Sequence, residues 1–278
     1  MKLYTIDTGF FKLDGGAMYG VVPKTIWQKL NPPDNNNLCT WAMRCLLIED
    51  SKRLILIDCG MGDKQSAKFF SYYEPHGEEN LIKSLTKYGF HIDDITDVVL
   101  SHLHFDHCGG AISIRNDRYV PTFQNALYWS HEKHWDWAMN PNAREKASFL
   151  AENILPIKES GQLKFLEEGL NPELSEIIDI RCFSGHTESM MVPIINLPDK
   201  KIAYMADLLP SHTHVPLPYV MAYDTRPLLT LSEKEHFFKY CIMNNIEFYL
   251  EHDKDFSSCI VDYQQDSNKI VVVDTFTI

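Results

Sequence analysis

The chain has 278 residues, 45% of them hydrophobic and 12% aromatic, which is enough apolar surface for a full core and excludes an intrinsically disordered chain. Acidic residues outnumber basic ones 38 to 26, for a formal charge of -12. That balance argues against a nucleic-acid partner, which would need a basic face to neutralise phosphates.

In chain order, residues 3–6, 17–22, 40–48 and 54–57 are short apolar runs between Gly, Pro, Asn or Asp, and are predicted strands. The Asn- and Pro-rich stretch 31–37 is a loop by composition. A helix is predicted over 78–88, where Leu81, Ile82, Leu85 and Tyr88 recur at helical spacing before Gly89. Residues 98–100 form a short buried strand that runs into Ser101-His102-Leu103-His104-Phe105-Asp106-His107. The stretch at about 130–168 reads as a Trp-rich, mostly helical insert. Strands return at 177–182, 191–196, 202–205 and 246–250, with a helix over 232–243 and an alternating closing strand at 270–278. No linker divides this order, so one α/β domain over 1–278 is expected, with central sheets and outer helices.

The seven cysteines are odd in number, widely spaced and without a C-x-x-C pair, which predicts reduced, mostly buried thiols. No run approaches the ~18 apolar residues of a membrane span, so no membrane partner is expected. The N-terminal stretch through Asp7 lacks the pattern of a signal peptide, and the expected location is cytoplasmic.

His102-x-His104-x-Asp106-His107 places four potential ligands within six residues, straight after a predicted strand. Neutral imidazoles with a carboxylate suit borderline divalent metals such as zinc. In an extended turn His102 and His104 point the same way, leaving Asp106 and His107 for a neighbouring ion. Gly109-Gly110 then lets the backbone turn sharply away. A lone histidine here would be an ordinary loop residue; three with an aspartate at this spacing are read as a metal site.

The pattern H-x-H-x-D-H resembles the signature of the metallo-beta-lactamase superfamily. Its further elements match in order: Asp58 in Leu54-Ile55-Leu56-Ile57-Asp58-Cys59-Gly60, then Gly185-His186-Thr187, then Asp207 after an apolar strand, then His252 after another. The resemblance runs from about residue 54 to 252. It implies a metallo-beta-lactamase-like four-layer αβ/βα sandwich and two divalent ions per chain, zinc first, with Fe, Mn or Co as alternatives. It assigns His102, His104 and His186 to one ion and Asp106, His107 and His252 to the other. Asp207 would bridge them, and Asp58 would hold a ligand histidine by its distal N–H. A hydroxide held between the ions would attack the substrate, with Asp106 guiding the proton to the leaving group.

Within the superfamily the layout is most similar to the N-acyl-homoserine lactone lactonases, in the intervals from His186 to Asp207 and on to His252. The stretch 15–24 also resembles the early hairpin of that branch. Lactonases carry a Tyr three residues after the bridging Asp. Here Pro210 stands at that position, and Tyr219 or Tyr223 from the following loop is the candidate replacement. Glu188-Ser189-Met190 stands where Pro-Gly-His often follows the Gly-His-Thr.

In the insert, Trp135 and Trp137 are candidate walls of an apolar substrate pocket. His131 and His134 are three residues apart, which fails the zincin spacing and makes them surface or pocket-wall residues. His212 and His214 are expected on a substrate-facing loop, and Cys108 is given no nucleophilic role. The expected function is opening of lactones or small esters, N-acyl-homoserine lactones among them, as a monomer or homodimer with a small-molecule substrate. A phosphotriesterase or phosphodiesterase on the same site is the alternative, and a redox or sensing protein on this fold a more distant one.

Overall fold

The computed structural model describes residues 1–51, 53–265, 267 and 269–278. The chain opens with β1 (Lys2–Asp14), two short helices α1 (Gly15–Tyr19) and α2 (Lys24–Trp27), and the hairpin of β2 (Leu38–Asp50) and β3 (Arg53–Ile57). Helices α3 (Ala67–Tyr73) and α4 (Leu81–Lys87) lead to β4 (Asp97–Val99), α5 (Phe105–Cys108), the hairpin β5 (Ile112–Arg115) and β6 (Arg118–Pro121), and β7 (Leu127–Ser130). Next come α6 (Glu132–Met139), α7 (Ala151–Glu159), β8 (Leu163–Phe165), β9 (Gly169–Asn171), β10 (Ser175–Phe183), β11 (Met190–Asn196) and β12 (Lys201–Tyr204). The chain closes with α8 (Pro227–Met243), β13 (Ile246–Tyr249), β14 (Ser258–Tyr263) and β15 (Ile270–Phe276).

One sheet has the strand order β1-β2-β3-β4-β7-β8, and the other β15-β14-β13-β12-β11-β10-β9. Alternation along the strands sorts side chains between two layers. Leu46 and Ile48 of β2, with Ile55 and Ile57 of β3, pack between the sheets against Ile178, Val192, Ile202 and Phe248. Their neighbours Leu47 and Leu56 point outward and are covered by Leu85 of α4, Trp135 of α6 and Ile154 and Ile157 of α7. On the far side Phe238 of α8 packs on Phe248, with ring centroids 5.1 Å apart. Helices thus lie outside both sheets, the four-layer arrangement expected above. No helix among the described residues is long and apolar enough to cross a membrane.

Strand direction decides where the site lies. β3 and β4 are parallel. β12 and β13 are parallel, and β10, separated from β12 by the antiparallel β11, runs the same way as both. The C-terminal ends of these strands gather at one edge, where α/β sheets place their ligands. Met191 N donates to Ser101 O and Ala42 N to His252 O, which ties the two sheets together at that edge.

Of residues 17–22, predicted as a strand, the first three fall in α1 instead and the rest in the turn that follows it. Asp14 Oδ1 accepts from Ala17 N and caps that helix, and Gly15 sits where a Cβ would lie 2.4 Å from the Trp27 ring. The stretch that resembled an early hairpin is therefore helical at its start. Gly109 and Gly110 serve close approach, not a left-handed turn: Cβ atoms there would come within 2.0 Å of Met61 O and 2.1 Å of Cys59 O. Six cysteines are buried, Cys182 is half-buried, and all seven are free.

Lys234, on α8, is 1% exposed, and its Nζ donates to His214 O and Tyr219 O at 2.8 Å each, pinning the loop beyond Asp207. Burial pushes its pKa down to about 7. In the unfolded chain a lysine keeps its proton to about pH 10.4. Between these values the unfolded state binds more protons, so this group's cost to folding is full below pH 7 and is relieved as pH rises toward 10. Urea denaturation at pH 6.5 and 9 is expected to show the stability difference between wild type and Lys234→Met moving in favour of wild type at the higher pH. An unchanged difference would mean that Lys234 titrates normally.

Candidate metal centre

The histidines follow the C-terminal ends of β4, β10 and β13, with His107 set in the short helix α5, and four of the five rings are hydrogen-bonded from behind. Ser101 Oγ donates to Asp58 Oδ2 at 2.6 Å, so it accepts from His102 Nδ1 at 3.1 Å. His186 Nδ1 donates to Asp224 Oδ1 at 2.7 Å, and His252 Nδ1 donates to Ala42 O at 2.8 Å. His107 Nδ1 faces Asp58 Oδ2 at 3.1 Å and Glu251 Oε2 at 2.9 Å. His104 Nε2 faces Glu145 Oε1 at 3.6 Å. The protons therefore sit on the outer nitrogens and the lone pairs turn inward.

The inward nitrogens converge. His102 Nε2 and His186 Nε2 lie 3.1 and 3.2 Å from His104 Nδ1, and His252 Nε2 lies 3.2 Å from His107 Nε2. Asp207 stands between the two groups, with Oδ2 3.1 Å from His186 Nε2 and Oδ1 3.0 Å from His252 Nε2. Asp106 Oδ2 lies 3.7 Å from the Nε2 atoms of both His107 and His252. All seven side chains are buried. They fall into two sets that could each hold an ion, His102/His104/His186/Asp207 and Asp106/His107/His252. Lone pairs packed this closely with no proton between them repel one another unless a cation lies among them, and imidazole with carboxylate is a donor set for a borderline divalent ion.

Electrostatics agree with that fit. Burial, aided by the neighbouring histidines, holds His102 well below the ordinary histidine pKa, and burial also lowers His104, so both are neutral. At His107 and His252 burial acts the same way but is outweighed: Glu251, Asp106 and Asp207 raise His107, and Asp207 and Glu251 raise His252 to about 9. That half of the site is acidic enough to demand positive charge.

Asp58 does more than face a histidine. It accepts from Ser101 N at 2.7 Å and from Tyr204 Oη at 3.2 Å, so it also fixes the start of the ligand stretch. His134 is buried, and burial drives its pKa down to about 3. Its Nδ1 donates to Glu188 O, leaving Nε2 to accept from Leu103 N at 2.8 Å between the first two ligands.

Five of the seven cluster residues, His104, Asp106, His186, Asp207 and His252, form the floor of a cavity of about 300 Å³, and the fully buried His102 and His107 do not line it. Leu13, Met18, Phe105 and Met221 supply apolar wall, and Tyr73, Tyr223, Arg144 and Glu145 supply polar groups. Three sequence expectations need correction here. Trp135 does not line the cavity: it is 2% exposed and packs in the helix layer beside Phe165, because the inner face of α6 is the one that bears it. Tyr219 also lies off the lining, edge-on to Tyr19, while Tyr223 is on it. His212 and His214 are not substrate-facing: His212 pairs with Asp253, and His214 is buried, stacked on Tyr19 and bonded to Ser211 Oγ and Met18 O. Burial pushes the Cys108 thiol up to about 12, in keeping with no nucleophilic role.

Sequence reasoning missed Asp224, Glu145, Arg144 and Tyr73. Each reaches the site from a segment without ligand spacing, so no local signal marks it.

The family model of the metallo-beta-lactamase superfamily matches residues 44–235. The N-acyl homoserine lactonase AiiA of Bacillus thuringiensis subsp. kurstaki is 30% identical over 119 residues, covering 39% of this chain and 43% of that protein. An N-acyl homoserine lactonase of Bacillus cereus is 27% identical over 165 residues, 56% of either chain. The chain thus spans about half the length of the curated relatives it matches. Among solved structures, a probable metal-dependent hydrolase from Staphylococcus aureus superposes with a TM-score of 0.89 at 27% identity, over 100% of this chain and 96% of that one. AidC, a dizinc quorum-quenching lactonase in complex with a product, superposes with a TM-score of 0.79 at 23% identity, over 99% and 95% of the two chains, a likeness of fold.

Proposed function

Because the chain belongs to the metallo-beta-lactamase superfamily and has its fold, we propose that it is a metal-dependent hydrolase that opens lactones, N-acyl-homoserine lactones in particular. The carrying observation is the cage of inward lone pairs on the floor of a cavity whose walls are largely apolar. His102, His104 and His186 would hold one divalent ion and Asp106, His107 and His252 the other, with Asp207 shared and zinc the proposed metal. Ions bound there supply Lewis acidity toward a carbonyl oxygen and make water a stronger acid at neutral pH.

The chain's own residues do the rest. Asp106, at the cavity wall, accepts a proton at Oδ2 and passes it toward the leaving alkoxide. The phenols of Tyr73, which burial pushes up to about 12, and of the more exposed Tyr223 keep their protons at neutral pH, so both offer hydrogen bonds to the ester oxygens. Tyr223 is our candidate for the position that Pro210 leaves without a phenol. Leu13, Met18, Phe105 and Met221 bury the acyl tail, worth about 0.8 kcal/mol per fully buried CH₂.

The test is kcat/KM across a chain-length series of acyl-homoserine lactones, with a phosphotriester and a cyclic nucleotide alongside. Medium and long chains are expected to be opened faster than the short analogue, and Tyr223→Phe to lower kcat about tenfold or more, as loss of a hydrogen bond to the reacting group does. Phosphoester cleavage without lactone turnover would instead favour the phosphotriesterase or phosphodiesterase reading.

A further inference from the structure

The insert between α6 and α7 contains an irregular turn, residues 142–148, that no element of the reaction above employs. Asn142 Oδ1 accepts from Arg144 N at 2.8 Å and Glu145 N at 3.1 Å, which fixes the turn, and Ser148 O accepts from Phe105 N at 3.0 Å, next to His104. Glu145 is 3% exposed. Its Oε2 accepts from Trp137 Nε1 at 2.8 Å and from Asn142 Nδ2 at 2.5 Å.

Its Oε1 makes no hydrogen bond, and neither do His104 Nε2 or Thr187 Oγ1, the two donors that face it. An unpartnered buried carboxylate oxygen with two unpartnered polar atoms beside it is costly, since each of the three loses its water for nothing. His104 Nε2 and Glu145 Oε1 are already 3.6 Å apart, so a shift well under 1 Å would bring them to normal hydrogen-bond length. Arg144, beside Glu145, reaches across the cavity mouth: its Nη2 donates to Ala222 O and, at 3.2 Å, to Asp224 O. Asp224 is the carboxylate that holds His186 Nδ1.

We infer that the 142–148 turn clamps the first ligand set: Glu145 positions the His104 ring through its Nε2–H, and Arg144 holds the loop whose Asp224 positions His186. This rests on the reading that His104 and His186 bind a divalent ion, and it makes Glu145 and Arg144 positioning residues. A ligand histidine held by a carboxylate at its distal nitrogen keeps its tautomer and gains basicity, and losing such a partner typically weakens metal binding 10–100-fold. Glutamine cannot substitute at 145. The Trp137 and Asn142 N–H groups point at one oxygen and the His104 N–H faces the other, so the amide's NH₂ would face a donor whichever way it is turned.

The experiment is chelator competition on the zinc-loaded protein, together with the visible absorption spectrum of the cobalt-loaded protein, for wild type, Glu145→Gln and Arg144→Met. Glu145→Gln is expected to weaken one of two sites 10–100-fold and to shift the cobalt bands, while the other site stays as in wild type. Arg144→Met, a change at an exposed side chain that carries the test if Glu145→Gln does not fold, is expected to weaken the same site several-fold. Two bound ions in all three proteins with equal retention and identical spectra, even with a lowered Tm, would reduce the turn to packing and overturn the clamp alone. A wild type that takes up no ion would overturn the metal reading as well.

Discussion

Stripping the protein of divalent ions is expected to abolish lactone turnover and to lower Tm substantially, and adding zinc back to restore both. Five histidines and two carboxylates converge at and beneath the cavity floor with their lone pairs facing inward. Without a cation the acidic half must be neutralised by protonated His107 and His252, which burial opposes. An ion present at a thousand times its Kd adds roughly 4 kcal/mol to the folded state. For a chain of this size that is on the order of 10 °C in Tm. Thermal melts and turnover, measured before chelation, after it and after resupply, check the expectation. Full activity in metal-free protein would remove the hydrolytic proposal.

Asp106→Asn is expected to lower kcat by at least ~10²-fold, the usual scale for a positioned acid–base group. Its carboxylate lies 3.7 Å from two imidazole nitrogens and lines the cavity, which suits the proposed roles at the second ion and at the leaving group. Asparagine has nearly the same shape but can neither take a proton nor neutralise an ion. The fold should survive, because Asp106 lies in a short helix at the edge of the sheets and takes no part in either hydrophobic layer. The decisive comparison is kcat of wild type and mutant at equal metal content. Retained turnover in a fully metallated mutant would take Asp106 out of the chemistry.

How much of this was legible in the sequence follows from how far apart the interacting residues lie along the chain. The run His102 to His107 announced itself because four ligands come from one turn. His186, Asp207 and His252 were found because each ends an apolar strand, and strand ends are where such a sheet presents its ligands. Of the carboxylates behind the ligands, Asp58 follows the same rule at the end of β3, but two others do not. Asp224 and Glu145 reach His186 and His104 through tertiary approach, which neither spacing nor composition encodes. Trp135 misled because an aromatic run on a helix does not say which face turns inward. Its neighbour Trp137 is the one bonded to Glu145, and Arg226 lies over its ring. Residues 17–22 misled because a short apolar run looks alike in a buried strand and a buried helical turn, and only the cap at Asp14 distinguishes them.

The most direct measurement is the number of divalent ions per chain, by elemental analysis of protein purified without chelators and again after resupply with zinc and removal of the excess. Two converging sets of buried ligands that share Asp207 should give close to two ions per chain. A single tightly held ion that persists unchanged after resupply would contradict the dinuclear site.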